Sequence, residues 1–216
     1  NVKNMLKILD SGEKNFNNQL ESLLNFDSKK SKILSEKVEK ILFDVKTWGD
    51  EALMKYSEQF DNYKVDSVEK FEIKKEDLKK SYDSISFEEK SALNTAADRI
   101  FKFHEHQESN FFSFEDEHGS ELSMRVMPIQ KVGIYVPGGT AAYPSSVLMN
   151  SIPARVANVE EITMVVPTPN GDVNPMVLAA AHLAGVKRVF KIGGAQAIGA
   201  LAFGTDFIPK VDKIVG

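Results

Sequence analysis

Two apolar runs that each stop at a pair of glycines constrain the fold of this chain more than any other feature. Residues 132–136 lead through Pro137 to Gly138-Gly139, and residues 189–192 lead to Gly193-Gly194. Both runs are rich in β-branched or aromatic residues, and small, helix-favouring residues follow each pair. This order is typical of a buried strand, a glycine turn and a helix start. Because a helix start offers unpaired N–H groups to anions, the pattern predicts an α/β unit with a ligand at the carboxyl ends of its strands.

The composition is that of an ordinary globular protein and excludes several classes. Of the 216 residues, 42% are hydrophobic and 27% are charged, and the net charge of −4 gives no basis for a nucleic acid or an anionic membrane as partner. No apolar run approaches the ~18 residues that cross a bilayer, and the N-terminus lacks an apolar signal core, so a cytoplasmic location is expected. The absence of cysteine excludes disulfides, thiolate nucleophiles and cysteine-based metal sites from this sequence.

The chain changes character near residue 126, which divides it into two regions. Charged residues number 46 among the first 125 positions and 12 among the remaining 91, whereas all 8 prolines and 10 of the 13 glycines lie in the second part. We therefore predict a charged, helix-rich region over residues 1–128. The second region, residues 129–216, is predicted to be an α/β domain that is incomplete at its C-terminal end.

In the second region the pattern predicts alternating strands and helices. The strands are expected near 131–136, 161–166, 187–192 and 211–215, and the helices near 145–157, 174–184 and 195–203. Short loops and nearly continuous apolar strands favour a parallel sheet covered on both faces. Pro153 is expected to kink or split the first of these helices.

In the first region, apolar spacing predicts an amphipathic helix over residues 31–46 that ends at Gly49, with Asp50 capping the next helix. Alternation over residues 69–74 suggests a short strand. Helices are expected over 75–82 and 86–107, the second opened by a capping box of Ser86 and Glu89.

Tyr135 and Gln196 are the polar residues best placed to use the two glycine turns, because one ends a predicted strand and the other opens a predicted helix. A structural role remains open for each, since a buried tyrosine can bond within the core and a glutamine can cap a helix. Neither turn matches G-x-G-x-x-G or a Walker motif. The four histidines are scattered, so no metal site and no catalytic set is predicted within this chain.

Several segments of the sequence, taken together, closely resemble the sequences of the histidinol dehydrogenase family. They are V-G-I-Y-V-P-G-G (132–139), Y-P-S-S-V-L-M-N (143–150), I-P-A-R-V-A (152–157), G-G-A-Q-A-I-G-A-L-A (193–202), P-K-V-D-K-I-V-G (209–216), and, in the first region, G-D-E-A-L (49–53), F-D (60–61) and R-I-F-K-F-H (99–104).

The resemblance implies an enzyme that uses zinc and two NAD⁺ to oxidise L-histidinol to L-histidine through histidinal. It implies a homodimer with intertwined subunits and incomplete Rossmann-like domains, akin to the aldehyde dehydrogenase architecture. It also assigns NAD contacts to Tyr135 and Gln196, supported by the turns at Gly138, Gly139, Gly193 and Gly194.

The sequence departs from the family pattern where it ends, at Gly216. In the family, a third NAD contact, the zinc ligands and the catalytic pair follow this point, so we expect the N-terminal part of a histidinol dehydrogenase that is inactive alone. The alternative is a non-catalytic folding or interaction fragment that retains only part of a nucleotide site. An aldehyde-dehydrogenase-like enzyme is disfavoured, because the cysteine that such enzymes need is missing.

Overall fold

The computed structural model describes residues 8–24, 28–107, 111–138 and 142–216. These residues fall into two compact units, 1–40 and 41–216, of which the second contains the sheet. The helices are α1 (Phe16–Leu24), α2 (Ser28–Trp48), α3 (Asp50–Asp61), α4 (Lys75–Ser84), α5 (Phe87–Glu105), α6 (Pro144–Val156), α7 (Pro175–Ala184) and α8 (Gly194–Phe203). The strands are β1 (Glu72–Ile73), β2 (Phe112–Glu115), β3 (Glu121–Met124), β4 (Lys131–Tyr135), β5 (Glu161–Val165), β6 (Arg188–Phe190) and β7 (Lys213–Val215). Two short 3-10 helices span Val68–Phe71 and Pro169–Gly171.

The main sheet has the order β1-β6-β5-β4-β7. Strands β4 to β7 are parallel, and β1 pairs antiparallel with β6 at one edge. The chain lays down β4, β5 and β6 in one direction and then returns to place β7 on the other side of β4. This reversal puts a topological switch point between β4 and β7, where α/β sheets form a crevice at the carboxyl ends of their strands.

Helices cover both faces of this sheet, because side chains alternate along each strand. One core contains Val132 and Ile134 of β4 together with residues of α4, α5, α6 and α7. The opposite core contains Val165 and Phe190 with residues of α3, α8 and the end of α2. The predicted α/β class with a parallel sheet covered on both faces is therefore confirmed, and the four predicted strands and three helices of residues 129–216 are present.

The charged region also contributes to this sheet. It supplies β1 as an edge strand, and α4 packs along α7 while α3 approaches α8. Arg188 of β6 reinforces the edge through a bidentate pair with Glu72 of β1, with N···O distances of 2.7 and 2.9 Å. The boundary at residue 128 marks a change of composition, and as a domain boundary it stays a prediction.

Three local expectations are corrected by the structure. Gly49, with φ of 50°, holds the cap position of α3, and Asp50 is the first helical residue, so Asp50 does not cap. Pro153 does not split α6, which continues to Val156, although the proline removes the one backbone bond that its own N–H would have donated to the carbonyl four residues earlier. Part of the strand expected over 69–74 is a 3-10 helix, which leaves only Glu72–Ile73 extended.

The helix starting after Ser86 has the predicted capping box, in which the Ser86 hydroxyl accepts from the Glu89 N–H at 3.1 Å and the Glu89 carboxylate accepts from the Ser86 N–H at 2.8 Å. The prediction missed α1 and the hairpin of β2 and β3. The hairpin has a readable signal, since Phe-Ser-Phe-Glu and Glu-Leu-Ser-Met both alternate with period two around a turn.

Tyr56 of α3 gives the fold a pH dependence in the alkaline range. Its ring is buried and its hydroxyl donates to Asp44 Oδ2 at 2.6 Å. Burial first, and then the hydrogen bond and charge of Asp44, raise the pKa of Tyr56 to about 12. In the unfolded chain a tyrosine titrates near about 10, so the unfolded state loses this proton first as the pH rises.

We therefore expect a stability contribution from Tyr56 that is fully present below about pH 10 and is lost as the pH approaches 12. Urea unfolding at several pH values above 9 measures this loss. In Tyr56→Phe the alkaline decline should become shallower, and an identical decline in both proteins would refute the assignment.

Candidate functional site at the carboxyl edge of the sheet

Pro167, in the loop after β5, lies between the two predicted glycine turns. A Cβ atom added to Gly138 would lie 2.4 Å from the Pro167 carbonyl oxygen, and one added to Gly193 would lie 2.6 Å from Pro167 Cβ and Cγ. Such distances leave no room for a side chain at either glycine. The two turns that the sequence singled out are therefore packed on one proline at the carboxyl edge. Gly139, the second glycine of the first pair, lies outside the described residues.

Tyr135 and the second turn meet directly. Tyr135 is the last residue of β4, and its hydroxyl oxygen accepts a hydrogen bond from the backbone N–H of Gly194 at 3.1 Å. Gly194 is the first residue of α8 and has a φ of 63°, in the left-handed region that favours glycine. Because the phenolic oxygen accepts here, its own hydrogen points away from this bond and can donate to an acceptor at the carboxyl edge.

Gln196 lies beneath the same turn. It is only 1% exposed, and among the described residues its amide oxygen Oε1 has no hydrogen-bond partner. A Cβ atom on Gly194 would approach this oxygen to 2.7 Å, so the amide lies directly against the Gly194 backbone. An unpaired buried amide oxygen costs about 1–3 kcal/mol, which makes it a notable feature in a well-packed core. The structure thus brings both predicted polar residues to the N-terminus of α8.

The topological switch point between β4 and β7 also lies beside Tyr135. Strand β7 pairs with β4 in parallel, with Val215 opposite Ile134. A Cβ atom on Gly216 would lie 2.4 Å from the carbonyl oxygen of Tyr135. The end of β7 therefore runs close beside Tyr135, at the crevice that the strand order creates.

A pocket of about 440 Å³ lies beside Pro167. Pro137 and Gly138 line it from the turn after β4, and Pro167 and Val177 line it from the loop after β5 and from α7. This volume falls within the range of about 300–1,000 Å³ that small-molecule sites occupy. Pro167 lines this pocket and also packs against Gly193, the residue before α8.

A contact that sequence reasoning missed supports this edge from the charged region. Lys191, the residue after β6, donates from Nζ to the Tyr63 hydroxyl, and its ammonium lies 4.5 Å from the centre of the Tyr63 ring. The Tyr63 ring in turn packs so closely on Gly171 that a Cβ there would lie 2.5 Å from a ring carbon. Because these residues are distant in sequence, no local pattern signals the contact.

The described residues do not form a metal site. Among them, no group of three or more His, Asp or Glu side chains is placed to hold an ion. His118 is exposed beside Glu117, and the ring of His182 packs 5.5 Å from the ring of Tyr82. In the described part of the chain, no helix has both the length and the apolar character to cross a membrane.

Comparisons with known proteins place the chain in a family. A family model for histidinol dehydrogenase matches residues 25–216. Similar relatives are the histidinol dehydrogenases of Aromatoleum aromaticum, 48% identical, and Acinetobacter baylyi, 47% identical, each aligned over 98% of this chain. The alignments cover 48% and 49% of those relatives, so the chain spans about half the length of the curated relatives it matches.

A solved structure gives the same relationship. The crystal structure of histidinol dehydrogenase from Elizabethkingia anophelis superposes with a TM-score of 0.79 at 37% sequence identity, covering 85% of this chain and 42% of that one. The likeness extends across both the charged region and the parallel sheet. The chain therefore belongs to the histidinol dehydrogenase family.

Proposed function

We propose that this chain forms the nucleotide-facing part of a histidinol dehydrogenase, which oxidises L-histidinol to L-histidine through histidinal with two NAD⁺. When bound, NAD⁺ would accept the hydride that the substrate carbon loses in each oxidation, and a proton would be released, first from the alcohol and then from the hydrated aldehyde. Family membership supports the reaction class. The carboxyl edge supports the assignment of the nucleotide to these residues.

The observation that carries the proposal is the buried amide oxygen of Gln196 at the N-terminus of α8, which has no hydrogen-bond partner in the described part of the chain. A buried acceptor without a donor is stabilised when a ligand supplies one. The ribose hydroxyls and the carboxamide of NAD are donors of the required kind. The N-terminus of α8 also carries the positive end of the helix dipole, which favours an anionic pyrophosphate.

Tyr135 has the complementary role in this proposal. Its hydroxyl oxygen accepts from Gly194 N–H, so its hydrogen is directed to an acceptor on the cofactor. The bond to Gly194 also fixes the ring over the turn. Tyr135 donates and Gln196 accepts, and the glycines at 138, 193 and 194 let the backbone approach the ligand closely.

Zinc does not fit the described residues, because they contain no suitable group of ligands, and no step through a metal is derived from them. We assign the zinc ligands and the catalytic acid–base groups to the remainder of the full-length enzyme. In this proposal the 216-residue chain binds NAD weakly and does not turn over alone. The location proposed for the enzyme is the cytoplasm.

A second copy of the chain is the partner proposed for the exposed hairpin of β2 and β3. Phe112 and Phe114 lie opposite Met124 and Leu122, which places four apolar side chains on one face. The two phenylalanines are 48% and 53% exposed, although a hairpin that stands alone is only marginally stable in water. This apolar face favours the family's homodimer, and it is also the observation that favours the alternative of a non-catalytic interaction unit.

Gln196→Met tests the nucleotide assignment. Methionine keeps the length and volume of glutamine but removes the unpaired oxygen, so we expect the unliganded fold to be at least as stable as the wild type. The NAD affinity, measured by isothermal titration calorimetry, should fall about tenfold, which corresponds to ~1.4 kcal/mol for a lost acceptor.

Gln130→Ala is the matched control, because Gln130 is exposed and lies just before β4 at the opposite edge of the sheet. Its NAD affinity should equal that of the wild type. An unchanged affinity in Gln196→Met, with measurable binding by the wild type, would remove Gln196 from the site.

A further inference from the structure

Another pocket, of about 350 Å³, lies at the amino edge of the main sheet, where the parallel strands begin. The first residue of each of β4, β5 and β6 lines it, and the full lining is Lys131, Glu161, Thr163, Lys187, Arg188 and Pro209. This lining shares no residue with that of the pocket beside Pro167. The volume is at the lower end of the range of about 300–1,000 Å³ that small-molecule sites occupy.

The strand register brings the polar side chains of this pocket to one face of the sheet. Lys131 pairs with Glu161 across β4 and β5, and Thr163 pairs with Arg188 across β5 and β6. Alternate residues of a strand share a face, so Glu161 and Thr163 lie on the same face as Val165. Val165 belongs to the core formed with α3 and α8. The pocket therefore lies where that core ends and polar residues replace apolar ones.

Thr163 is the buried polar side chain of this pocket. It is only 2% exposed, and none of the hydrogen bonds in the described part of the chain uses its hydroxyl. The residue that pairs with it on β4 is Gly133, which has no side chain to offer a partner. Because a buried hydroxyl without a partner is unfavourable, a ligand that accepts its hydrogen bond gains affinity here.

The charges of the lining favour an anion. Three cations face one carboxylate, that of Glu161. Arg188 is held by Glu72, which lies outside the lining, with N···O distances of 2.7 and 2.9 Å. Lys187 is exposed and, among the described residues, has no ion-pair partner. Lys187 is therefore the cation most available to a ligand.

Two carboxylates near the pocket oppose an anion, although neither cancels the excess. Glu161 Oε2 lies 3.3 Å from Lys131 Nζ, so this pair shares its charge within the pocket. Asp212 does not line the pocket, and its Oδ2 accepts from the backbone N–H groups of Gln130 at 3.1 Å and Lys131 at 2.8 Å. Removing the Glu161 charge should therefore strengthen the binding of an anion.

We propose that this amino-edge pocket binds a phosphate group, either as inorganic phosphate or as a phosphate monoester. The Thr163 hydroxyl donates to one phosphate oxygen, and the ammonium groups of Lys131 and Lys187 donate to others. The buried threonine and the exposed Lys187 approach from different depths, which matches a tetrahedral anion better than a planar carboxylate. The proposal does not rest on the nucleotide function proposed for the carboxyl edge.

Calorimetric titration of the 216-residue chain with inorganic phosphate, glycerol 3-phosphate and acetate tests this assignment. The wild type should bind phosphate with a dissociation constant of about 1 mM or lower, and acetate about tenfold more weakly. Thr163→Val and Lys187→Gln should each weaken phosphate binding about fivefold, whereas Thr163→Ser, which keeps the hydroxyl, should retain it. Glu161→Gln should strengthen it about threefold. Whichever of the two phosphate ligands binds more tightly identifies the source of the phosphate group.

Lys79→Gln is the matched control, because Lys79 is an exposed lysine of α4 that does not line the pocket. It should leave all the affinities unchanged, and an equal loss in Lys79→Gln and Lys187→Gln would reveal only a diffuse attraction and refute the site. A wild-type chain that binds neither phosphate ligand would also refute it. So would a folded Thr163→Val protein, verified by circular dichroism, that binds phosphate as tightly as the wild type.

Discussion

Replacing Gly138 by alanine is expected to destabilise the fold by about 1–3 kcal/mol and to reduce NAD binding further than the loss of any one hydrogen bond would. The added Cβ would lie 2.4 Å from the carbonyl oxygen of Pro167. Because that oxygen belongs to the backbone, no side-chain rotation relieves the overlap, and the loop after β5 must move. Gly138 does not have a positive φ, so the clash alone accounts for the effect.

Urea unfolding measured by circular dichroism gives the change in unfolding free energy. Gly12→Ala is the matched control, since its nearest neighbour is a flexible carboxylate oxygen of Asp10 at 3.2 Å, and its effect should stay within about 0.5 kcal/mol. A Gly138→Ala protein with wild-type stability and wild-type NAD affinity would show that the loop after β5 is not held between the two turns.

The second large effect is expected at the hairpin of β2 and β3. Replacing both Phe112 and Phe114 by serine should weaken self-association about a hundredfold, which corresponds to ~3 kcal/mol for two aromatic side chains that lose part of their buried area. These rings lie on the apolar face with Leu122 and Met124, and they stack at a centroid distance of 6.2 Å.

Sedimentation velocity over a range of concentrations measures this association. The control pair, Ser113→Ala with Ser123→Ala, changes the opposite face of the same two strands and should leave the association constant unchanged. A wild-type chain that sediments as a monomer at every concentration would contradict the proposed dimer, as would a double serine variant that associates as strongly as the wild type.

The sheet was predictable because its strands are nearly continuous apolar runs. Ile134 and Met164 are fully buried, which is the situation that such runs indicate in a parallel sheet covered on both faces. The hairpin was missed for the opposite reason, since its alternating apolar residues stand in a strongly charged stretch of the sequence.

The site was predictable only in part. The turns and the positions of Tyr135 and Gln196 follow from strand and helix boundaries, so their meeting at one edge follows from a parallel sheet. Pro167 packs between the two glycine turns, and Lys191 contacts Tyr63, because of the way the loops pack. The periodicity of a sequence does not encode loop packing. Nor does the sequence show that the Gln196 oxygen lacks a hydrogen-bond partner among the residues that the structure describes, because that depends on three-dimensional packing.

An NMR titration of the ¹⁵N-labelled chain with NAD shows whether the carboxyl edge of this sheet binds the dinucleotide. We expect the backbone amides of Gly138, Gly193 and Gly194 and the side-chain amide of Gln196 to shift together, with a single binding constant. The resonances of amides at the opposite edge, such as those of Thr205 and Lys210, should not shift. Saturable shifts confined to that opposite edge, or no shifts from a folded sample, would contradict it.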